Sequence, residues 1–234
     1  MGVVAILIAI MLPSLASVRE TAHQIVCRSN VRQIGYGIAM NADANKDAIP
    51  RTGTINGNAV AEGAPDDYSY ETMTLRYGPD NTPTQFLVNR WDGLGLLFVS
   101  DYLPAPKLFY CPSHRGRNPY RDYADAWGSE SGLIVGNYQY RGRGPTGTIV
   151  AGHPVMATRL SQIMPAASLV ADGLKSQSDF NHQIGANILH ADVSTTWFND
   201  SSHLVSELLP KDNQAPSSSL TNSAWNEFDN SSLR

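Results

Sequence analysis

Six histidines and two cysteines offer the most chemistry in this chain of 234 residues, so their spacing comes first. The histidines are His23, His114, His153, His182, His190 and His203, and none falls in a pattern that sets up catalysis. There is no HExxH helix, no GxSxG elbow, no P-loop, and no GxGxxG opening a helix after a strand. Arg141-Gly-Arg-Gly-Pro-Thr-Gly has glycines but no lysine to reach a phosphate, and reads as a turn. No catalytic residue is therefore expected, and the chain reads as a non-enzyme. Cys27 and Cys111 make no CxxC and no Cys/His finger, so their spacing offers no structural zinc site. In an exported protein the two could pair; in a cytosolic one they would be free thiols. His182 and Asp192, flanked by Asn187 and His190, could form a metal or polar cluster across a hairpin, with a hydrogen-bonded structural pair as the simpler reading. Asp172, Asp179 and Asp192 are the acidic candidates for a calcium site built from loop oxygens. No other cofactor is expected.

Composition narrows the partners. The net charge is −4 and no lysine-rich or arginine-rich block occurs. A nucleic-acid binder would carry a basic stripe to neutralise phosphates, so nucleic acid is not expected as a partner. The 19 glycines and 14 prolines predict many loops and short strands in the body.

The element that must position everything else is at the start of the chain. Val3, Val4, Ile6, Leu7, Ile8, Ile10, Met11 and Leu12 lie in an apolar run without a charge, followed by Pro13 and Leu15; the first basic residue is Arg19. A membrane helix needs about 20 apolar residues, and this run is shorter. It could be a signal-peptide core, but nothing basic precedes it. It could be a buried core helix, or a membrane helix that continues into an amphipathic one. The sequence after Leu15 favours the last reading: Val18, Ala22, Ile25, Val26, Ser29, Ile34, Ile38 and Met40 recur near helical steps, with Arg19, Glu20, Arg28 and Arg32 between them. Pro13 is expected to kink this helix, Gly35 and Gly37 to loosen its last turns, and the polar run Asn41–Asp47 to end it. A helix of about 40 residues would be some 60 Å long, too long for the core of a domain this size. Part of it must be buried in lipid or in neighbouring subunits.

Several further elements arrive in a telling order. Leu12-Pro-Ser-Leu15, Arg19-Glu-Thr-Ala22 and Cys27-Arg-Ser-Asn-Val-Arg-Gln-Ile-Gly35 resemble the N-terminal region of bacterial type IV pilin-like proteins and type II secretion pseudopilins. The resemblance is nearest to the large-bodied prepilin-type proteins of the H-X9-DG group. Trp91-Asp-Gly-Leu-Gly-Leu-Leu97, Tyr102-Leu-Pro104 and Leu108-Phe-Tyr-Cys-Pro-Ser113 resemble that group's middle block. His182 and Asp192, with nine residues between them, resemble its C-terminal signature, except that Val193 stands where the signature has glycine. Valine resists positive φ, so no special turn is expected there. The basic leader and glutamate-containing stretch of such proteins are missing, so Met1 is expected to fall inside the hydrophobic segment of a longer reading frame.

The resemblance implies a structural subunit of a pilus-like or pseudopilus filament, stored in the bacterial inner membrane through its N-terminal helix, with the body in the periplasm or on the cell surface. Its partners would be other pilin-like subunits, the membrane and a secretion or pilus assembly machinery. The alternative is a membrane-tethered binding module, for instance for surface polysaccharide, which exposed aromatic side chains within residues 52–150 would favour. If the middle block packs on the helix, Cys27 and Cys111 would staple body to helix; two buried free thiols remain the other reading.

The expected fold is α+β: a long N-terminal helix packed on a mainly antiparallel sheet, with an irregular insert over residues 52–150. Residues 1–48 are assigned to the helix, 49–215 to a globular body and 216–234 to a polar C-terminal tail. Candidate strands or helical turns are Tyr68–Arg76, Gln85–Val88, Leu94–Leu97, Tyr138–Tyr140, Met156–Leu160 and Ser168–Ala171. Asn187–Leu189 and Ser194–Phe198 read as a hairpin.

Overall fold

A computed structural model describes residues 2–55, 68–79, 89–182 and 184–232, with side chains in the N-terminal helix described at 15 and from 17 onward. Helix α1 runs Gly2–Ala44, 43 residues and about 65 Å at 1.5 Å per residue. The apolar positions Val3, Val4, Ile6, Leu7, Ile8, Ile10, Met11 and Leu12, and the kink expected at Pro13, lie outside the described side chains. Among the described residues no helix is long and apolar enough to cross a membrane.

Four strands form the main sheet, in the order β3 (Tyr138–Tyr140), β6 (Ser168–Asp172), β7 (Gly185–His190) and β8 (Thr195–Asn199), every neighbouring pair antiparallel. Strand alternation assigns its two faces. Tyr138, Tyr140, Val170 and Leu189 join one core with Cys27, Val31, Ile34 and Ile38 of α1. Ala171, Ala186 and Ile188 point the other way, into a second core with Val205, Leu209, Trp225 and Phe228. The sheet is thus sandwiched between α1 and the helices α3 (Leu204–Leu208) and α4 (Ser218–Ser232). Burial on both faces explains why every residue of β7 is buried. The architecture is α+β, a long N-terminal helix on antiparallel sheets.

Two departures from the sequence reading stand out. Residues 216–234 are not a polar tail: Ser218–Ser232 is helical, and Trp225 and Phe228 are fully buried. Ser and Asn dominate this segment, yet Thr221, Ala224, Trp225 and Phe228 share one helical face, and the two rings carry most of the apolar area. The turn read at Arg141–Gly147 is shorter than expected, because β4 (Gly144–Val150) already starts inside it and pairs with β5 (His153–Ala157). Pro145 is tolerated since a two-stranded ribbon has only edge strands.

The middle of the chain contributes β1 (Thr74–Arg76), paired with β2 (Ile134–Val135), and the short helix α2 (Gly95–Val99). The candidate segment Gln85–Val88 lies outside the described residues. Trp91, Phe98, Phe109 and Trp127 stack into one aromatic cluster, both tryptophans 7% exposed. Helix α1 approaches closely where it has glycine: a Cβ on Gly35 would sit 2.6 Å from the Leu189 side chain. The glycines that were expected to loosen α1 permit this packing instead, and the helix continues to Ala44.

Candidate functional site

The most concentrated chemistry lies where α1 meets the α1-facing side of the sheet. Four pieces of chain converge there. Helix α1 supplies Glu20 and Cys27, and the loop after the 3-10 turn Pro106–Phe109 supplies Cys111, Ser113 and His114. Strand β6 ends in Asp172, and the β6–β7 connection turns back to place Asn181 and His182 beside it. Asn187 of β7 closes the group.

Cys27 and Cys111 are joined by a disulfide, with Cα atoms 5.4 Å apart and 84 residues of separation. Both are buried, and the Tyr138 hydroxyl donates to Cys27 Sγ at 3.4 Å. His182 stands against the bridge, its Nε2 3.5 Å from Cys111 Sγ and its side chain 0% exposed. The other ring nitrogen, Nδ1, lies 2.7 Å from Glu20 Oε1. A carboxylate only accepts, so Nδ1 carries a proton and donates. Nε2 can then accept from Asn187 Nδ2 at 3.4 Å, which satisfies a neutral ring at both ends. Glu20 is held in turn by the Ser113 hydroxyl, at 3.0 and 2.9 Å from its two oxygens.

Asp172 is fully buried, out of reach of bulk solvent. Burial raises its pKa; the donors from Asn181 and Asn187 pull the other way. Asn181 Nδ2 reaches Oδ1 at 2.9 Å, and the Asn187 backbone N–H reaches Oδ2 at 2.7 Å. Asn181 also spans to Asn137 O at 2.9 Å and accepts from His114 Nδ1 at 2.7 Å. Beyond it, His114 Nε2 faces Asp179 Oδ1 at 4.0 Å. Burial lowers the pKa of His114 and raises that of Asp179, so both are driven toward their neutral forms.

The signature residues His182 and Asp192 do not form a pair. The six residues of β7 run between them, about 20 Å of extended chain. Asp192 sits exposed in the β7–β8 turn, where its Oδ1 accepts from Ser194 N at 2.9 Å. His190 is also apart from His182, bonded to Ala166 O and Thr196 Oγ1. The turn itself corrects the sequence reading: Val193 adopts φ +67°, the left-handed conformation that valine was expected to refuse. That conformation costs about 1–2 kcal/mol, and the Val193 side chain packs on α1 beside Gly35 in compensation. The three calcium candidates do not converge either: Asp172 is enclosed by its donors, Asp179 meets His114, and Asp192 is in the turn.

Sequence reasoning overlooked Glu20, Ser113, Asn181 and Tyr138. Glu20 had a legible signal. It lies seven residues before Cys27 on the helix face that continues through Val31, Ile34 and Ile38, so a charge sits in line with a buried stripe. The whole arrangement ties a helix to a sheet. The His182 ring and Asp172 are enclosed, and the two hydroxyls named here, Ser113 and Tyr138, donate to a carboxylate and to a disulfide sulfur rather than to a base.

The opposite face of α1 is the second candidate. Leu15, Val18, Ala22, Ile25, Ser29, Arg32, Tyr36 and Met40 are all exposed, and they follow one another at three- and four-residue steps. They form a stripe about 100° wide, opposite the docked face. Leu15, Val18 and Ile25 are 69%, 66% and 65% exposed. The chain matches no family model, no curated protein and no solved structure.

Proposed function

We propose that the chain is a structural subunit of a pilus-like or pseudopilus filament, held in the bacterial inner membrane through α1 before assembly. In the filament, α1 packs against equivalent helices of neighbouring subunits and the body faces outward, in the service of a type II secretion-like or type IV pilus-like apparatus. The observation that carries this reading is that Leu15, Val18, Ile25, Tyr36 and Met40 stand exposed along one stripe of α1, interrupted by Ser29 and Arg32, while the body covers only the opposite face. The outer stripe has the alternating three- and four-residue spacing of a helix–helix seam, and it needs a second helix or lipid to cover it. The two tryptophans of the middle segment, Trp91 and Trp127, are buried, whereas Tyr68 is exposed, so a polysaccharide-binding module stays the second reading.

The test is assembly. Ile25→Asp and Val18→Asp change exposed positions, so the body should keep its circular dichroism and its melting temperature. Filaments seen by electron microscopy in membranes or detergent should be lost in both variants. Unchanged filaments in the variants, or a wild-type chain monomeric at every concentration by sedimentation, would refute the proposal.

A further inference from the structure

The disulfide does not stand alone. Cys27 Sγ, Cys111 Sγ, a ring nitrogen of His182 and a carboxylate oxygen of Asp172 all lie within 4.8 Å of one another, and all four residues are buried. We propose that in the dithiol form of this protein these four groups bind one thiophilic divalent metal ion, with Zn2+ the best fit. Disulfide and metal would then be alternative clamps between α1 and the sheet.

The donor set carries the argument. Two thiolates, one imidazole and one carboxylate are the ligand types that zinc takes in a tetrahedral site. With metal–ligand bonds of about 2.0–2.3 Å, neighbouring ligand atoms in a tetrahedron lie about 3.3–3.8 Å apart. His182 Nε2 is 3.5 Å from Cys111 Sγ and 3.8 Å from Asp172 Oδ2. Imidazole and the Cys111 sulfur are therefore already spaced as ligands, the carboxylate must close by about 0.5 Å, and the two sulfurs must part.

The surroundings are arranged as around a metal ligand. Glu20 accepts the hydrogen bond from His182 Nδ1 at 2.7 Å, which leaves Nε2 as the unprotonated nitrogen, 3.5 Å from Cys111 Sγ. Carboxylate–histidine–metal relays have this form, and loss of the outer carboxylate typically weakens metal binding 10–100-fold. Asn181 and the Asn187 backbone fix the Asp172 carboxylate. The Tyr138 hydroxyl, 3.4 Å from Cys27 Sγ, can donate to a bound thiolate. One contact competes: Asn187 Nδ2 lies 3.4 Å from His182 Nε2 and must turn aside for the metal. A surface hollow of about 490 Å3, lined by residues including Arg19, Glu20, His23 and Ser113, borders the outer carboxylate of this group.

The chemistry balances with a dithiol reductant. The reductant gives up two electrons and two protons and closes to its own disulfide, while the Cys27–Cys111 bond opens to two thiols. Metal binding then releases both thiol protons to the solvent, and air oxidation would require the metal to leave.

The experiment uses the full chain, reduced with dithiothreitol under anaerobic conditions, freed of reductant, and titrated with Co2+ and then Zn2+. Expected are one metal per chain, thiolate-to-cobalt charge-transfer absorption, the visible bands of a tetrahedral site, and displacement of cobalt by zinc. The oxidised wild-type chain, folded and with its thiols consumed, should show none of these. His182→Gln and Asp172→Asn should each weaken zinc binding at least tenfold, and Glu20→Gln should weaken it 10–100-fold. The proposal is overturned if the reduced chain, still folded by circular dichroism, binds no more metal than the oxidised one. It is also overturned if neither His182→Gln nor Asp172→Asn changes affinity in a reduced, folded chain.

Discussion

Replacing Cys27 and Cys111 together by alanine tests how α1 is held. The bridge closes a loop of 84 residues, and the chain-entropy relation makes such a cross-link worth roughly 4.5 kcal/mol at 25 °C. For a domain of this size each kcal/mol moves the melting temperature by about 2–4 °C, so the double variant should melt roughly 9–18 °C below the oxidised wild type. The loss should not be spread evenly along α1. Val31, Ile34 and Ile38 are 0–2% exposed and keep the helix on the sheet without the bridge. Toward the N-terminus of Cys27 the described anchor is Glu20, through His182 and Ser113. Amide hydrogen exchange should therefore speed up over residues 17–27 and stay slow over 31–42. Calorimetry with a chelator present measures the first effect and exchange mass spectrometry the second. A melting temperature lowered by less than about 3 °C, or exchange rising equally along the whole helix, would refute the reasoning.

Two further outcomes are expected. Asp92 is buried among Thr52 and Gly53, and burial raises its pKa from 3.8 to about 6 despite their hydrogen bonds. Its contribution to stability is full below pH 3.8 and is lost as pH rises through about 6, a change of roughly 3 kcal/mol. Asp92→Asn should keep the Gly53 bond, flatten urea-unfolding stability between those pH values, and equal or exceed the wild type at pH 7; an unchanged pH slope would contradict this. Arg76, 1% exposed, donates to the carbonyls of Ala126, Ser129, Ser131 and Gly132. A lysine cannot reach all four, and a shielded carbonyl left without a donor costs about 1–3 kcal/mol. Arg76→Lys should thus lower stability by at least about 1 kcal/mol, and an unchanged urea midpoint would refute the role.

What was readable in the sequence followed from periodicity. The hairpin of β7 and β8 and the strands at Tyr138–Tyr140 and Ser168–Asp172 show as alternating or β-branched runs bounded by turn residues, and α1 shows as a helical stripe. Helix α4 was hidden because its burial rests on two rings among serines and asparagines, which lower every windowed average. The turn at Val193 was misread because residue preference was set against a tertiary contact that sequence does not show, the fit of that side chain beside Gly35. The clamp was harder still. Glu20 and His182 are 162 residues apart, and Asp172 meets Asn181 only because the β6–β7 connection folds back. Single residues brought together by a loop leave no period to detect.

The position of that clamp gives the two faces of α1 a common logic. The disulfide and the Glu20–His182 contact lie at the N-terminal end of the docked face, just before the described helix shows only exposed residues at Leu15, Ser17, Val18 and Arg19. Apolar packing alone would let a helix end fray there, because no core side chain of α1 lies N-terminal of Cys27 among the described residues. A covalent bridge and a charge-assisted hydrogen bond at that point hold the helix in one orientation relative to the sheet. The outer stripe from Leu15 to Met40 is then presented as a single rigid seam. A seam that must register with neighbouring helices over several turns requires that rigidity, whereas a flexible tether to a membrane does not. Under the proposed function, anchoring of this kind suits helix-to-helix assembly better than it suits a simple tether.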